Sequence, residues 1–227
     1  MAEIKVLATL GVQPAYEQLV PPFAREGGHD IAVEWVPTVL LMQRMRAGER
    51  PDLLIMASDS IETLVREGKL AADSRVDFAR SGIAVAVKKG AAQPDVRSTD
   101  SLIRALKAAR TVAYSTGPSG VYLAELIAKL GLTEILRPKL TISQGGPVGA
   151  LVANGKVELA FQQMQELMAV DGLDVVGPLP AEIQKTTQFS AARPIGAKNE
   201  DAITALVDIL RSPNAAPVYL RVGMQPV

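Results

Sequence analysis

The sequence predicts an α/β protein with mixed, mostly parallel sheets flanked by helices. Apolar runs typical of strands alternate with helical patterns along nearly all of its 227 residues. Because a helix between two strands returns the chain to the starting edge of a sheet, this alternation favours parallel strand pairs. About half of the residues are hydrophobic (48%), which is enough to bury a large core.

The first third of the chain contains three predicted strand–helix pairs. Strands are predicted at Ile4–Leu10, Ile31–Val36 and Asp52–Met56, and helices at Ala15–Glu26, at Val39–Ala47 and after Ser60. Pro21 and Pro22 should kink or restart the first helix, because proline lacks a backbone N–H and its ring crowds the preceding turn. The hydroxyl of Ser60 is expected to cap the third helix.

The remaining two thirds continue the alternation with shorter strands. Strands are predicted at Gly82–Val87, Thr111–Tyr114, Thr141–Ser143, Glu158–Phe161, Leu173–Val176 and Thr187–Ala192, and helices at Asp100–Ala109, Ser119–Leu130, Val148–Asn154, Asp201–Leu210 and Ala215–Val222. Gly131 is expected to close the second of these helices, since glycine readily takes the left-handed conformation found at helix ends.

Composition excludes several classes of function. Lys and Arg number 24, as do Asp and Glu, so the chain lacks the basic excess of a general nucleic-acid binder. Four Tyr, four Phe and one Trp leave few rings on which bases could stack. Cysteine is absent and His29 is the single histidine, which excludes thiolate catalysis, a Ser/His/Asp triad and a Cys/His zinc site. We expect no nucleic-acid partner, no metal and no cofactor.

Two alternatives stay open for the cellular location. No apolar run approaches the ~20 residues of a membrane span, so the chain is not expected to be membrane-spanning. Its opening residues, Met-Ala-Glu-Ile-Lys, lack the pattern of a signal peptide. The protein is therefore cytoplasmic, or it is a periplasmic protein whose signal peptide was removed and whose mature chain begins at Ala2.

The strand-to-helix turns are where a ligand is expected. In open parallel sheets, ligands bind beyond the carboxyl ends of the strands, near helix N-termini. The candidate turns are Thr9–Gln13, Pro37–Thr38, Ala57–Asp59, Ser115–Gly120, Gln144–Pro147 and Gln162–Gln165.

The strongest local signal is the segment Tyr-Ser-Thr-Gly-Pro-Ser-Gly-Val-Tyr at 114–122. A strand ends there and a helix begins, with Ser119 placed to cap the helix and Gly120 allowing a ligand to approach the backbone. The first N–H groups of a helix and the positive end of its dipole attract anions. An ordinary capped helix after a tight turn is the alternative.

Two other turns in the second half carry polar groups. Pro147 occupies a predicted first helical position, in a turn without the Gly-Lys-Ser/Thr ending of a nucleotide-binding P-loop. Gln162, Gln163 and Gln165 are expected to follow their strand and to offer neutral amide donors, unless they are ordinary surface glutamines.

Charged residues near the turns add acid–base and ion-pairing chemistry. Asp59 and Glu166 are candidate general bases, with a structural cap or a surface charge as the alternative for each. Arg44 and Arg46, on the helix after Thr38, are the basic side chains near the candidate turns, although helical arginines are mostly solvated.

The order and spacing of these segments resemble those of the type II periplasmic binding proteins, in the branch of the molybdate-binding proteins. The resemblance covers nearly the whole chain and rests on several short motifs. They are Ile-Lys-Val-Leu-Ala at 4–8, Leu-Met-Gln-Arg-Met-Arg-Ala-Gly at 41–48, Pro-Asp-Leu-Leu-Ile-Met-Ala-Ser-Asp at 51–59, Pro-Ser-Gly-Val-Tyr at 118–122, Gly-Ala-Leu-Val-Ala-Asn-Gly at 149–155 and Ser-Pro-Asn-Ala-Ala-Pro-Val at 212–218.

This resemblance implies a two-lobed fold in which two crossover strands act as the hinge. Lobe I would contain residues 1–82 and 190–227, and lobe II residues 83–189. A small anion, either an oxyanion or a carboxylate, would bind in the inter-lobe cleft, which closes by hinge motion. The partner that the family implies is an ABC transporter permease, and we expect the protein itself to be a monomer.

The donors of the molybdate-binding proteins fall on this chain with departures. The serine after the first strand falls at Gly11, the second serine near Thr38, the second-lobe donor at Ser119 and the tyrosine at about Gln163. One hydroxyl is lost and a phenol becomes an amide, which argues against molybdate itself.

This chain is more similar to a subgroup of substrate-binding proteins, which aconitate isomerase also resembles. The turns of that subgroup match Gly-Pro-Ser-Gly at 117–120, and its Gly-Phe-Gln-Gln-like turn reads Ala-Phe-Gln-Gln at 160–163 here. The segments Val-Gly-Pro-Leu-Pro-Ala-Glu at 176–182 and Gly-Met-Gln-Pro at 223–226 are similar too. The room at Gly11 would admit a larger carboxylate ligand, and Gln163 could donate to a carboxylate oxygen.

Three functions stay open. The main hypothesis is a solute-binding protein that captures a small oxyanion or organic acid anion with helix N-termini, hydroxyls and amides. The alternatives are a cofactor-free isomerase of an unsaturated carboxylic acid and a cytosolic relative whose ligand regulates a partner. The scarcity of Arg and Lys near the turns argues against a tricarboxylate. The predicted ligand-binding residues are Thr9, Gly11, Thr38, Ser58, Ser119, Gly120, Pro147, Gln162 and Gln163.

Overall fold

The chain divides into two compact units. A computed structural model describes residues 3–144 and 146–227. Met1, Ala2 and Gly145 lie outside the described residues, and with them the expected mature start at Ala2 and one glycine of the predicted Gln144–Pro147 turn. Unit 1 comprises Met1–Arg80 and Thr187–Val227, and unit 2 comprises Ser81–Thr186.

The described residues form ten strands and ten α-helices, joined by short turns. The strands are β1 (Glu3–Ala8), β2 (Asp30–Trp35), β3 (Leu53–Ala57), β4 (Val76–Lys88), β5 (Val112–Ser115), β6 (Leu140–Ser143), β7 (Leu159–Gln163), β8 (Leu173–Pro178), β9 (Thr186–Ala192) and β10 (Gln225–Pro226). The helices are α1 (Gln13–Gly27), α2 (Thr38–Arg46), α3 (Ser58–Arg66), α4 (Thr99–Ala108), α5 (Pro118–Lys129), α6 (Thr133–Leu136), α7 (Gly149–Ala153), α8 (Met164–Met168), α9 (Glu200–Arg211) and α10 (Ala216–Arg221).

The sheet of unit 1 is built around β1, which pairs in parallel with both β2 and β3. Strand β9 then runs antiparallel to β3. Successive residues of β3 face opposite cores, because side chains alternate along a strand. Leu53 and Ile55 pack in the core that includes α1 and α9, and Leu54 and Met56 in the core that includes α2 and α3. Burial on both faces explains why β3 is a continuous apolar run.

Unit 2 repeats this organisation around β5, which pairs in parallel with β6 and β7. Strand β4 runs antiparallel to β7 and to β8. The alternation seen in β3 recurs in β4: Ile83 and Val85 face the core that includes α4 and α5, while Ala84 and Ala86 face the core that includes α7 and α8. Each unit therefore has helices on both faces of its sheet.

Two predicted local features of unit 1 differ from the structure. Of the kink or restart expected at Pro21 and Pro22, the restart is absent: α1 continues through both residues, since packing of its Tyr16 and Val20 in the core of unit 1 offsets the missing backbone hydrogen bonds. Ser60 does not cap α3, because that helix already begins at Ser58.

Among the described residues, no helix has both the length and the apolar character that crossing a membrane requires.

Candidate functional site

In unit 1, three adjacent strands end at the same edge of the sheet. Strands β2, β1 and β3 are parallel neighbours, so the turns after them lie side by side. The hydroxyls of Thr9 and Thr38 from two of these turns are 3.1 Å apart. Gly11 is buried in the short 3-10 turn that follows Thr9. The structure thus brings together the predicted residues of the first two turns.

Ser58, from the third turn, belongs to a polar network that the sequence did not predict. Its hydroxyl lies 2.5 Å from the hydroxyl of Ser190, which donates to Asp77 at 2.5 Å. Arg75 donates to the same carboxylate at 2.9 Å, and Gln188 also donates to it. Burial acts to raise the pKa of Asp77, but these hydrogen bonds outweigh it and hold the pKa below its ordinary value. The Ser58 hydroxyl, which was predicted to bind a ligand, is therefore already hydrogen-bonded to another residue of unit 1.

This hydrogen-bond network could not be predicted from the sequence because its members are far apart along the chain. Ser58 and Ser190 are separated by 132 positions. A serine on a strand carries no local mark of such a partner.

The two arginines near the turns are also engaged. Arg44 donates to the carboxylates of both Glu34 and Glu49, at 2.5 Å each for the closest atoms. Arg46 pairs with Glu67 at 2.8 Å. These hydrogen bonds lower the pKa of all three glutamates. Both cations are balanced by neighbouring carboxylates.

Unit 2 presents a second edge of the same kind. Strands β7, β5 and β6 are parallel neighbours, and each is followed by a helix. The predicted residues Ser119, Pro147 and Gln163 lie where these strands pass into those helices.

The start of α5 differs from the prediction in its capping. Gly117, not Ser119, is the N-cap residue, because Pro118 supplies the first helical position. The N–H groups of Gly120 and Val121 donate to the Gly117 carbonyl, at 3.0 Å each. Proline has no N–H, so Ser119 supplies the remaining donors at this helix end. Its side chain is 3% exposed, and its hydroxyl makes no hydrogen bond to any residue of 3–144 or 146–227.

Gly120 is required by packing. A Cβ atom at this position would lie 1.5 Å from the carbonyl oxygen of Ser115 and 3.1 Å from the ring of Tyr114. The first turn of α5 therefore presses on the end of β5, and only glycine permits this approach. This contact holds Ser119 at the carboxyl edge of the sheet.

Gln162 and Gln163 are the last two residues of β7. The prediction that they follow the strand is therefore wrong. The side-chain oxygen Oε1 of Gln162 accepts from the backbone N–H of Val148 at 2.9 Å, and the side-chain nitrogen Nε2 of Gln162 donates to the Glu166 carboxylate at 2.8 Å. Gln163 is buried, as is Gln165 within α8. Because both ends of the Gln162 amide are engaged, this side chain orients its neighbours.

Glu166, on α8, is partly exposed. Burial raises the pKa of its carboxyl to about 7, although hydrogen bonds from the Gln162 side chain and the Gln163 backbone act in the opposite direction. This carboxyl therefore changes protonation near neutral pH.

Pro147 is not at a first helical position, because α7 begins at Gly149. Its carbonyl accepts from the N–H of Ala150 at 3.1 Å. Since proline lacks an N–H, it can offer a ligand only ring contacts and a carbonyl oxygen. No group of three or more His, Asp or Glu side chains within the described ranges is arranged to hold a metal ion.

Comparison with known proteins assigns this chain to a family. The model of the family described as bacterial extracellular solute-binding protein matches residues 4–225. The chain is 34% identical to the aconitate isomerase of Pseudomonas sp over 230 residues, which cover 99% of this chain and 88% of that protein. It is 25% identical to the molybdate-binding protein ModA of Escherichia coli (strain K12) over 228 residues, covering 97% and 88%.

The fold is shared with solved structures of periplasmic binding proteins. The periplasmic molybdate-binding protein of Azotobacter vinelandii superposes with a TM-score of 0.80 at 19% identity, covering 99% of this chain and 98% of that one. The predicted α/β fold and the resemblance to the molybdate-binding branch and its aconitate isomerase subgroup are confirmed. So is the predicted solute-binding character, at the level of the family. The chain belongs to the bacterial extracellular solute-binding proteins.

Proposed function

We propose that this protein binds a small carboxylate anion through the turns at the carboxyl ends of its parallel strands. The observation that carries the proposal is the start of α5, a helix of 12 residues. There a buried serine presents a backbone N–H and a hydroxyl that no described residue uses. Donors at a helix start that have no partner among the described residues can donate to the oxygens of an anion.

Each unit by itself offers neutral donors that suit an anion. The positive end of the α5 dipole attracts negative charge. In unit 1, the paired hydroxyls of Thr9 and Thr38 lie at the start of α2, where the first backbone N–H groups also attract anions. Arg44 and Arg46 are committed to glutamates, so recognition rests on the number and direction of hydrogen-bond donors.

A carboxylate is favoured over a tetrahedral oxyanion. The isomerase relative is 34% identical to this chain over the matched residues, against 25% for the molybdate-binding relative. Gly11 offers no hydroxyl, and Gln163 has an amide where the molybdate-binding resemblance implies a phenol. Molybdate is the second candidate, supported by the ModA relatives and by the fold.

We also propose that the protein works outside the cytoplasm as a monomer and delivers its ligand to an ABC transporter permease. The description of its family as extracellular supports this location. Fractionation of cells that express the native gene should recover the protein in the periplasm, and sedimentation should give the mass of one chain. Recovery in the cytoplasm would contradict the proposed location.

The ligand can be identified by thermal shift and calorimetry with molybdate, tungstate, sulfate, citrate, cis-aconitate and trans-aconitate. A ligand at 100 times its Kd adds about 2.7 kcal/mol to the free energy of unfolding, so the bound class should stand out. We expect stabilisation by a carboxylate and not by sulfate. Stabilisation by molybdate and tungstate alone would favour the second candidate.

The donors can be tested in the same assay. Ser119→Ala and Thr38→Ala are each expected to weaken binding by about 1–3 kcal/mol, because a ligand oxygen loses its donor. Thr141→Ala, on the exposed face of β6, serves as the control and should leave affinity unchanged. Unchanged affinity in both site variants would contradict the proposal.

A further inference from the structure

We propose that Glu166 is a proton-transfer group, so that the protein isomerises an unsaturated carboxylic acid as well as binding it. This inference rests on the proposed binding of a small carboxylate. Glu166 lies on the helix that follows β7, at the carboxyl edge of unit 2 where the turn containing Ser119 also lies.

The hydrogen bonds of the Gln162 side chain hold the Glu166 carboxylate in one orientation. The Val148 N–H can only donate, so the Gln162 oxygen must face it, at 2.9 Å. The Gln162 amide nitrogen must then face Glu166, which it does at 2.8 Å. Gln162 is 2% exposed, so neighbouring residues hold its amide in this orientation. A carboxylate has about four acceptor positions, and the bonds from Gln162 and from the Gln163 backbone leave others able to take a proton.

The pKa of Glu166 distinguishes a proton-transfer group from a glutamate that only caps a helix. A glutamate that merely caps a helix is stabilised as the anion, and its pKa falls. Burial instead raises the pKa of Glu166 to about 7, and the influences on it come from neutral groups. The residue as a whole is nevertheless partly exposed. A carboxylate that loses its proton near neutral pH suits general base catalysis.

The reaction balances with this one group. The Glu166 carboxylate takes a proton from a methylene carbon that lies between a carboxylate and a C=C bond. The electron pair of that C–H bond forms a new C=C bond, and the pair of the old one moves to its far carbon. Glu166, now a carboxylic acid, returns a proton to that far carbon. The double bond has shifted, no redox change has occurred and the enzyme is regenerated.

The experiment follows both steps in the same samples. Wild-type protein is incubated in deuterium oxide with cis-aconitate or trans-aconitate, and NMR follows deuterium at the methylene position and interconversion of the two acids. Calorimetry measures the binding of each acid. We expect deuterium incorporation and interconversion in the wild type. In Glu166→Gln both should slow by about 10²–10⁴-fold while binding persists.

The control is Glu158→Gln, which removes a carboxylate just before the first residue of β7, at the opposite end of this strand from α8. It should keep the wild-type rate. If Glu166→Gln fails to fold, Glu166→Asp is tested instead, because it retains the charge on a shorter side chain. This variant should bind the acids but interconvert them at a reduced rate.

The outcomes separate the two proposals. Binding without interconversion of the two acids in the wild type would overturn the catalytic role and leave the binding proposal standing. Full activity in Glu166→Gln, or in Glu166→Asp if that variant is the one tested, would overturn the assignment to Glu166. Failure of the wild type to bind any carboxylate would overturn both proposals.

Discussion

The carboxyl edges of the two units are built alike but use their polar groups differently. Each edge ends three adjacent parallel strands in turns that lead into helices. In unit 1 the polar groups satisfy one another, as in the network of Ser58, Ser190 and Asp77. In unit 2, Ser119 keeps donors that no described residue uses, and the Gln162 amide orients Glu166, whose pKa burial raises.

The difference shows that similar topology does not make similar sites. A polar group that already has protein partners contributes mainly to stability, since a ligand would have to displace those partners. A buried group held in place without a partner is available for binding or chemistry, at some cost to the folded state. The following variants test this contrast between the two edges.

The largest expected effect comes from the packing that holds the edge of unit 2. Gly120→Ala would place a Cβ atom 1.5 Å from a backbone oxygen, which no rotamer change can relieve. We expect the free energy of unfolding to fall by about 3 kcal/mol or more in urea titrations. Gly117→Ala is the control: its φ of −73° suits alanine, and the loss should stay below about 1 kcal/mol. Equal losses in both variants would contradict the close packing of α5 on β5.

The second effect is the pH dependence that Glu166 adds. Its folded pKa is about 7, against an ordinary 4.5, so between these values the folded state holds a proton that the unfolded state has released. Stability should therefore decrease as pH rises through this window, by about 2–3 kcal/mol. Glu166→Gln removes this group, so its advantage over the wild type should grow from pH 4.5 to pH 7. Curves that stay parallel in denaturant titrations would show that burial does not shift this pKa.

The smallest effect compares one serine from each edge. Ser58→Ala removes a hydroxyl bonded to Ser190 and should lower the free energy of unfolding by about 1–2 kcal/mol. Ser119→Ala removes a hydroxyl without a described protein partner and should change it by less than about 0.5 kcal/mol. Chemical denaturation of the ligand-free proteins measures both. The reverse order would break the contrast between the two edges.

Much of the fold was accessible from the sequence because its signals are local. The uninterrupted apolar run of β3 and the Gly-Pro-Ser-Gly turn before α5 each follow from backbone preference and burial on both faces of a sheet. The prediction failed where tertiary contacts override propensity, as at Pro21 and Pro22. It also failed where a single neighbour moves a boundary, as when Pro118 shifts the cap from Ser119 to Gly117.

Which turns carry polar groups follows from the order of the amino acids, because the alternation of strands and helices gathers those turns at the carboxyl ends of parallel strands. Which of those groups already have hydrogen-bond partners depends on the three-dimensional fold. Ser58 finds its partner 132 positions away, and Glu166 acquires its pKa from burial. Hydrogen-bond partners and desolvation depend on neighbours in space, and no pattern in the adjacent residues reports them.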